Sequence, residues 1–213
     1  MVDHIMDKVN QIKEVDEIFI VTNDRFFTQF QDWHQSTKQK SSVKIVNDGT
    51  KSNEDRLGAM GDLHYTINKK TIKDDVLLIG GDNLFEFSLK DLVELSRKKN
   101  ASAIALFDIK DKSKCAKKLG VATIDHTNRI TSFEEKPEQP KSTLAATLCY
   151  ILKKESITKL PSFIREGKAD NAGSFIAWLI KSEQVYGLPF SERWFDIGSI
   201  EALEEASKMY EAQ

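Results

Sequence analysis

Apolar positions in the first half of the chain follow two alternating patterns, helical spacing and short continuous runs. The helical spacing predicts helices over 2–13, 24–33, 54–68 and 89–95. Asn23 precedes the second of these helices and is expected to cap it. The continuous runs predict strands at 17–22, 43–46, 76–80 and 101–108. Nearly continuous apolar strands are typical of a parallel sheet covered on both faces, so this half predicts an α/β domain.

The second half of the chain begins with a β-hairpin pattern. Two short strands, 120–124 and 129–134, flank the turn Asp125–Asn128. The elements expected after the hairpin are a strand at 145–152, helices at 155–166 and 173–182, a strand at 184–188, and a helix at 200–210 opened by Ser199. We found no linker or internal repeat, and we therefore expect one domain over residues 1–213 with a mixed sheet.

Composition narrows the class of protein. The 213 residues include 31 Lys and Arg against 33 Asp and Glu, and 40% of the chain is hydrophobic. This balance excludes intrinsic disorder, which requires low hydrophobicity and high net charge. A pI near 6.1 also argues against nucleic acid as a bulk electrostatic partner.

Cysteine usage and the length of the apolar runs bear on the compartment. Two cysteines, Cys115 and Cys149, are too few for a disulfide framework or a zinc site. We expect both to be reduced residues of a cytoplasmic protein. The apolar runs are strand-sized and far shorter than the ~20 residues that span a bilayer, so no membrane partner is expected.

Polar residues directly after apolar strands are the first candidates for chemistry, because ligands of open α/β sheets bind at the carboxyl ends of the strands. Asp82 follows the run Val76–Ile79 behind two glycines that allow close approach of the backbone to a ligand. A carboxylate at this place can hold Mg²⁺. The alternative is a turn in which Asp82 or Asn83 caps the next helix.

Asp196 is the second candidate, since it lies between apolar residues in the segment Trp194–Gly198. A carboxylate in apolar surroundings is costly unless it is paired or bound to a metal. The alternative is an exposed Asp on a strand whose Trp194 belongs to the core. Asp82 and Asp196 can share one metal only if the fold brings them together, which their spacing does not show.

The third candidate is the charged segment Glu134–Pro137, which closes a predicted strand. A Glu can accept hydrogen bonds from sugar hydroxyls while the neighbouring Lys donates to a phosphate, which suits a sugar phosphate. The alternative is a solvated charge pair. The four His are scattered, and no GxSxG, GxGxxG or P-loop pattern occurs, so those nucleophile, dinucleotide and phosphate sites are not supported.

Three segments together carry a family resemblance. Leu78–Asn83 resembles a hydrophobic strand end closing in G-D-N, Gly120–Ile124 with Phe133–Pro137 resembles a GVV…EEKP hairpin, and Trp194–Ser199 resembles a W-x-D-x-G-T element. In this order, they resemble the sugar-nucleotide pyrophosphorylases, the nucleotidyltransferases that join a sugar 1-phosphate to a nucleoside triphosphate. Glucose-1-phosphate thymidylyltransferases are members of that family.

The resemblance implies a fold and a set of site residues. The fold is a Rossmann-like three-layer α/β sandwich with a mixed, mostly parallel sheet. The catalytic residues are Lys136 on the sugar phosphate, with Asp82 and Asp196 as ligands of Mg²⁺. The implied substrate-binding residues, for the sugar or for the base, are Gly81, Asn83, Glu135, Ala146, Thr147, Asp170, Leu57 and Gly58. The substrates are dTTP or UTP and a sugar 1-phosphate, and the resemblance leaves room for a homo-oligomer.

The sequence departs from that family in two places. Its N-terminal strand and Gly-rich loop, G-x-G-T-R-L-x-P, have no counterpart here. Asn53–Gly58 lies where the family has a base-contacting G-(L/T)-A stretch, and Arg56 replaces the glycine of that stretch. We therefore expect a central strand to be missing, its neighbours to be covered by other means such as a second chain, and turnover to be weak. A non-catalytic sugar-nucleotide-binding protein and a nucleotide-sugar-dependent glycosyltransferase are the alternatives.

Overall fold

Helices cover both faces of a six-stranded sheet in the computed structural model, which describes residues 1–37, 42–167 and 171–211. Its strands are β1 (Ile18–Thr22), β2 (Val43–Asn47), β3 (Val76–Ile79), β4 (Asn83–Phe85), β5 (Ser102–Asp108), β6 (Val121–Ile124), β7 (Ile130–Glu134), β8 (Leu144–Leu152), β9 (Val185–Phe190) and β10 (Trp194–Asp196). Its helices are α1 (Val2–Val9), α2 (Asp24–Ser36), α3 (Ala59–Lys70), α4 (Leu89–Lys99), α5 (Lys112–Cys115), α6 (Lys154–Ile157), α7 (Leu160–Arg165), α8 (Ala172–Leu179) and α9 (Ile200–Glu211). None of these helices is long and apolar enough to cross a membrane.

The central sheet is mixed, as the sequence predicts. Strands β7, β6, β8, β5 and β9 lie side by side in that order, and β3 pairs with the second half of β8. Four strands, β3, β5, β6 and β9, run in one direction, while β8 and β7 run in the other. The remaining strands form a parallel pair, β1 with β2, and an antiparallel ribbon, β4 with β10.

Side chains of the central strands alternate between two hydrophobic clusters. In β5, Ile104 and Leu106 pack in the cluster that contains Met60 of α3 and Phe175 of α8. The intervening residues, such as Ala105, pack in the cluster of α1 and α4 on the opposite face. Both clusters are fully buried at this strand, which explains why β5 reads as a continuous apolar run.

Strands β1 and β3 are apolar but only half-buried along their whole length. Within the described residues, β1 pairs only with β2 and β3 only with β8. Each strand therefore keeps one edge whose backbone groups are not used by a neighbouring strand. The central strand that the sequence analysis expects to be missing stays a prediction.

Caps, turns and a proline explain why some observed helices match the predicted boundaries and others do not. Asn23 caps α2 as predicted, with its side chain accepting from the backbone N–H of Phe26. The single helix predicted over 155–166 is wrong, because Pro161 lies in the first turn of α7 and has no N–H to continue the hydrogen bonding of α6. Helix α3 begins at Ala59 rather than near 54, since the Asp55 carboxylate accepts backbone N–H groups of the preceding turn. The first helix also ends at Val9, short of the predicted end.

Candidate active site

The floor of the candidate site is the part of β8 where the strand pairing along one side is interrupted. The end of β3 pairs with the second half of β8, and the start of β6 pairs with its first residues. Between them, the N–H of Gly80 donates to the Leu148 carbonyl at 2.9 Å, and the N–H of Ala146 donates to the Gly120 carbonyl at 2.9 Å. The predicted residues Ala146 and Thr147 therefore lie on β8 where its pairing changes from β3 to β6.

A β-bulge shapes this floor. The register of β8 against β5 shifts between Ile104 and Leu106, and Leu148 adopts a left-handed backbone with φ of 51°. The Thr147 hydroxyl donates to the Ala105 carbonyl at 3.2 Å, and Thr147 is only 1% exposed. Bulges re-aim side chains and often occur beside functional sites. Thr147 thus holds the bulge in place from within the core.

The ribbon of β4 and β10 brings the two predicted metal ligands together. Asp196 lies directly opposite Asn83 in the ribbon, and the N–H of Ile197 donates to the Asp82 carbonyl at 2.9 Å. Both Asp82 and Asp196 are exposed to solvent. The sequence prediction could not show this proximity, because the ribbon has three residues in each strand and pairs segments that are distant in the chain.

The charges around Asp196 also include Lys136. The surrounding protein partly desolvates the Asp196 carboxylate, although the residue keeps solvent contact, and this raises its pKa. The nearby Asp82 carboxylate raises the same pKa further, whereas the Lys136 ammonium lowers it. Asp82 and Lys136, the other two residues predicted to be catalytic, are therefore both close enough to Asp196 to affect its charge.

Glu135 is held between two glycines at the end of the hairpin. A methyl group added at Gly120 would lie 2.8 Å from Oε2 of Glu135, and one at Gly173 would lie 2.1 Å from the same atom. Burial is the main cause of the raised pKa of Tyr150, and the Glu135 carboxylate raises this pKa further. Gly173 was missed in the sequence analysis, which placed it only at the start of a predicted helix.

The other predicted residues are placed with less contact to this centre. Gly81 is exposed beside Asp82, and Asn83 is buried behind it with 3% exposure. Leu57 and Gly58 lie just before α3, where Gly58 has a φ of 75° at the start of the helix. Leu57 also lines a groove with residues of α3 and with Ile164. Asp170 lies outside the described residues.

The donor atoms suit a hard divalent cation that is shared with a ligand. Among residues 1–37, 42–167 and 171–211, no three His, Cys, Asp or Glu side chains form a closed metal cluster. Two exposed carboxylates, Asp82 and Asp196, are the kind of partial oxygen site at which Mg²⁺ is completed by water and phosphate oxygens. Cys115 and Cys149 are free thiols and both are buried.

Two solved structures share the fold along nearly the whole chain. One is a Bacillus anthracis protein assigned as a glucose-1-phosphate thymidylyltransferase and solved with sucrose; it superposes with a TM-score of 0.80 at 21% identity, covering 98% of this chain and 81% of that chain. The other is a UDP-glucose pyrophosphorylase solved with UDP-glucose, with a TM-score of 0.81 at 16% identity, covering 99% and 86%. These similarities confirm the Rossmann-like three-layer α/β class.

The family itself is shown by the sequence. The sequence model of the family described as nucleotidyl transferase matches residues 1–213, which includes all three segments that carried the resemblance. Those segments converge in the structure on the β8 bulge and the β4–β10 ribbon. The chain belongs to the nucleotidyl transferase family.

Proposed function

We propose that this chain is a Mg²⁺-dependent sugar-1-phosphate nucleotidyltransferase that uses dTTP or UTP and releases pyrophosphate. The observation that carries the proposal is the ribbon pairing that sets Asp196 opposite Asn83 and beside Asp82, with Lys136 within electrostatic reach. The assignments of the solved neighbours to glucose-1-phosphate thymidylyltransferase and UDP-glucose pyrophosphorylase support the substrate class.

The residue types match the demands of this reaction. The attacking phosphate oxygen of the sugar 1-phosphate is already charged, so no activated side-chain nucleophile is required. Mg²⁺ held by Asp82 and Asp196 would neutralise charge on phosphate oxygens. Lys136 binds the phosphate of the sugar 1-phosphate and limits repulsion between the two anionic substrates. Glu135 accepts hydrogen bonds from sugar hydroxyls and thereby orients the ring.

A pyrophosphate-release assay tests the proposal. The protein is incubated with glucose 1-phosphate, dTTP or UTP, and Mg²⁺, and we expect release that depends on all three. Asp196→Asn is expected to lower kcat by at least about 100-fold, because loss of a metal ligand removes charge stabilisation of the transition state. Asp91→Asn is the matched control, since Asp91 is an exposed carboxylate on α4.

Other results would assign the site differently. Calorimetric binding of UDP-glucose or dTDP-glucose without pyrophosphate release would show a non-catalytic sugar-nucleotide-binding protein. Transfer of glucose from the nucleotide sugar to an acceptor would show a glycosyltransferase. Equal activity of Asp196→Asn and Asp91→Asn would contradict the metal-binding role of Asp196.

A further inference from the structure

A chain of two hydrogen bonds runs from the protein interior to Asp82. The indole N–H of Trp194 donates to Oδ1 of Asn83 at 2.6 Å. Nδ2 of Asn83 in turn donates to Oδ1 of Asp82 at 2.8 Å. Asn83 is 3% exposed, so its amide is removed from solvent and depends on these protein partners.

The Trp194 indole determines which atom donates and which accepts in both hydrogen bonds. An indole N–H can only donate, whereas the two ends of an amide differ, one accepting and one donating. Trp194 therefore forces Oδ1 of Asn83 toward itself and turns the amide nitrogen toward Asp82. A flipped amide would set two donors against each other and an amide oxygen against a carboxylate oxygen. One oxygen of Asp82 is thereby fixed, which restricts the orientation of the other.

The surrounding core holds Trp194 rigidly enough to serve as the anchor. Its ring packs on Phe107 with centroids 5.5 Å apart, and its backbone pairs with the fully buried Phe85 in the ribbon. On the other side, a methyl group added at Gly80 would lie 2.5 Å from Nδ2 of Asn83 and 2.9 Å from Oδ1 of Asp82. The backbone of Gly80 thus packs closely against the hydrogen bond between Asn83 and Asp82.

We propose that Trp194 and Asn83 are positioning residues that set the Asp82 carboxylate for divalent-metal binding. Neither residue needs to touch the metal, since each acts through the next. The inference rests on the proposed function for the identity of the metal site, and it adds that the metal affinity is set from the buried side of the ribbon. Residues that orient a metal ligand in this manner typically change metal affinity about 10- to 100-fold when they are removed.

Binding of Mn²⁺, followed by electron paramagnetic resonance titration in the absence of substrates, tests this proposal separately from turnover. Trp194→Phe keeps the ring and removes only the N–H, and we expect it to weaken Mn²⁺ binding about 10-fold. Trp178→Phe is the matched control, because the Trp178 indole also donates to a side chain, Glu166, but lies on α8 and not in the β4–β10 ribbon. The control is expected to bind Mn²⁺ as the unaltered chain does.

A double-mutant cycle provides the second readout. Asn83→Leu removes the amide, so Trp194→Phe should then cause no additional loss of Mn²⁺ affinity. Additive losses would show that Trp194 acts by packing alone and would overturn the proposal. Circular dichroism at the assay temperature establishes that each variant is folded, and Trp194→Phe alone suffices if Asn83→Leu does not fold.

The failure of this inference differs from the failure of the proposed function. Mn²⁺ binding that is lost in Asp82→Asn and weakened in Trp194→Phe, without pyrophosphate release, would refute the function and support the positioning role. Pyrophosphate release by a chain whose Trp194→Phe variant binds Mn²⁺ normally would refute only the positioning role. Absence of any Mn²⁺ binding that depends on Asp82 would also overturn the inference.

Discussion

The guanidinium of Arg193 donates to both carboxylate oxygens of Glu86, at 2.6 Å and 3.0 Å. The backbones of the same residues are joined by the Glu86 N–H, which donates to the Arg193 carbonyl at 2.9 Å. This pair extends the ribbon of β4 and β10 by one step beyond Trp194 and Phe85. The ion pair therefore stabilises one end of the ribbon, and Asp196 lies at the other end.

We expect Arg193→Met to loosen the ribbon. The bidentate pair is partly exposed, so the loss in free energy of unfolding should be only about 1 kcal/mol. Mn²⁺ affinity should fall as well, because Asp196 and Asp82 are held by the same ribbon. Urea unfolding and Mn²⁺ titration measure the two effects. Lys44→Met is the control, since it removes an exposed ion pair with Glu17 on the separate pair of β1 and β2.

The same ion pair predicts a pH dependence. Arg193 lowers the pKa of Glu86 in the folded protein, chiefly through the hydrogen bond to its carboxylate. A lowered folded pKa means that the stabilisation is present above the ordinary Glu pKa of 4.5 and is lost as the pH falls through the folded value. The stability difference between the unaltered chain and Arg193→Met should therefore shrink at acid pH. A constant difference from pH 7 to pH 3 would contradict this.

Gly173→Ala should impair the binding of the sugar substrate. The new methyl group would lie 2.1 Å from Oε2 of Glu135 and 2.9 Å from the ring of the buried Phe133, so the Glu135 carboxylate must move away and the fold is expected to lose some stability as well. We expect KM for the sugar 1-phosphate to rise about 10-fold, the effect of losing a hydrogen bond to a charged group. Ser174→Ala, one position along α8, is the control, and a KM equal to that of Gly173→Ala would argue against this explanation.

Lys136→Gly should separate stability from activity. Lys136 has a φ of 47°, a left-handed backbone that costs an ordinary residue about 1 kcal/mol but costs glycine nothing. Thermal unfolding should therefore occur at the same temperature or higher, while KM for the sugar 1-phosphate rises sharply. Lys117→Gly, at a φ of 60° on an exposed turn, should share the effect on stability and keep the KM. Marked destabilisation by Lys136→Gly would refute the strain at this position.

Asp62→Asn should remove a pH dependence of stability that comes from α3. Burial, together with a smaller contribution from the Asp48 carboxylate, raises the pKa of Asp62 to about 7. Because the folded chain then binds a proton more tightly than the unfolded chain, stability should fall as the pH rises from about 4 to 7. The Asn variant should lack this fall and be more stable than the unaltered chain at pH 8, on the order of 1 kcal/mol after solvent screening. Equal melting temperatures at pH 8 would contradict the shift.

Physical reasons explain which parts of this protein could be predicted from the sequence. β5 was predictable because both of its faces are buried, which leaves a continuous apolar run. The Asn23 cap was predictable because one side chain and a nearby N–H determine it. Asp82, Asp196 and the segment Glu134–Pro137 were candidates because of their places beside apolar strands, the family resemblance supplied their chemical roles, and those roles stay predictions.

The missed features depend on contacts between distant segments. The three-residue strand β4 has no readable periodicity and exists because β10 pairs with it. Gly173 shows its importance only when Glu135 of the hairpin packs against α8. The hydrogen bond from Trp194 to the Asn83 amide could not be predicted, because only the ribbon brings these two distant residues together.

The β4–β10 ribbon also has a consequence for the order in which the protein acquires its parts. Asn83 and Trp194 are separated by 111 residues, so the contact between them closes a very long loop. Contacts of such sequence separation form slowly, because the entropy of loop closure must be lost before they contribute. During synthesis, β4 leaves the ribosome long before its partner strand exists. The carboxylate pair is therefore expected to be assembled late, after the central strands have formed, which makes Mn²⁺ binding a probe of the final folding step.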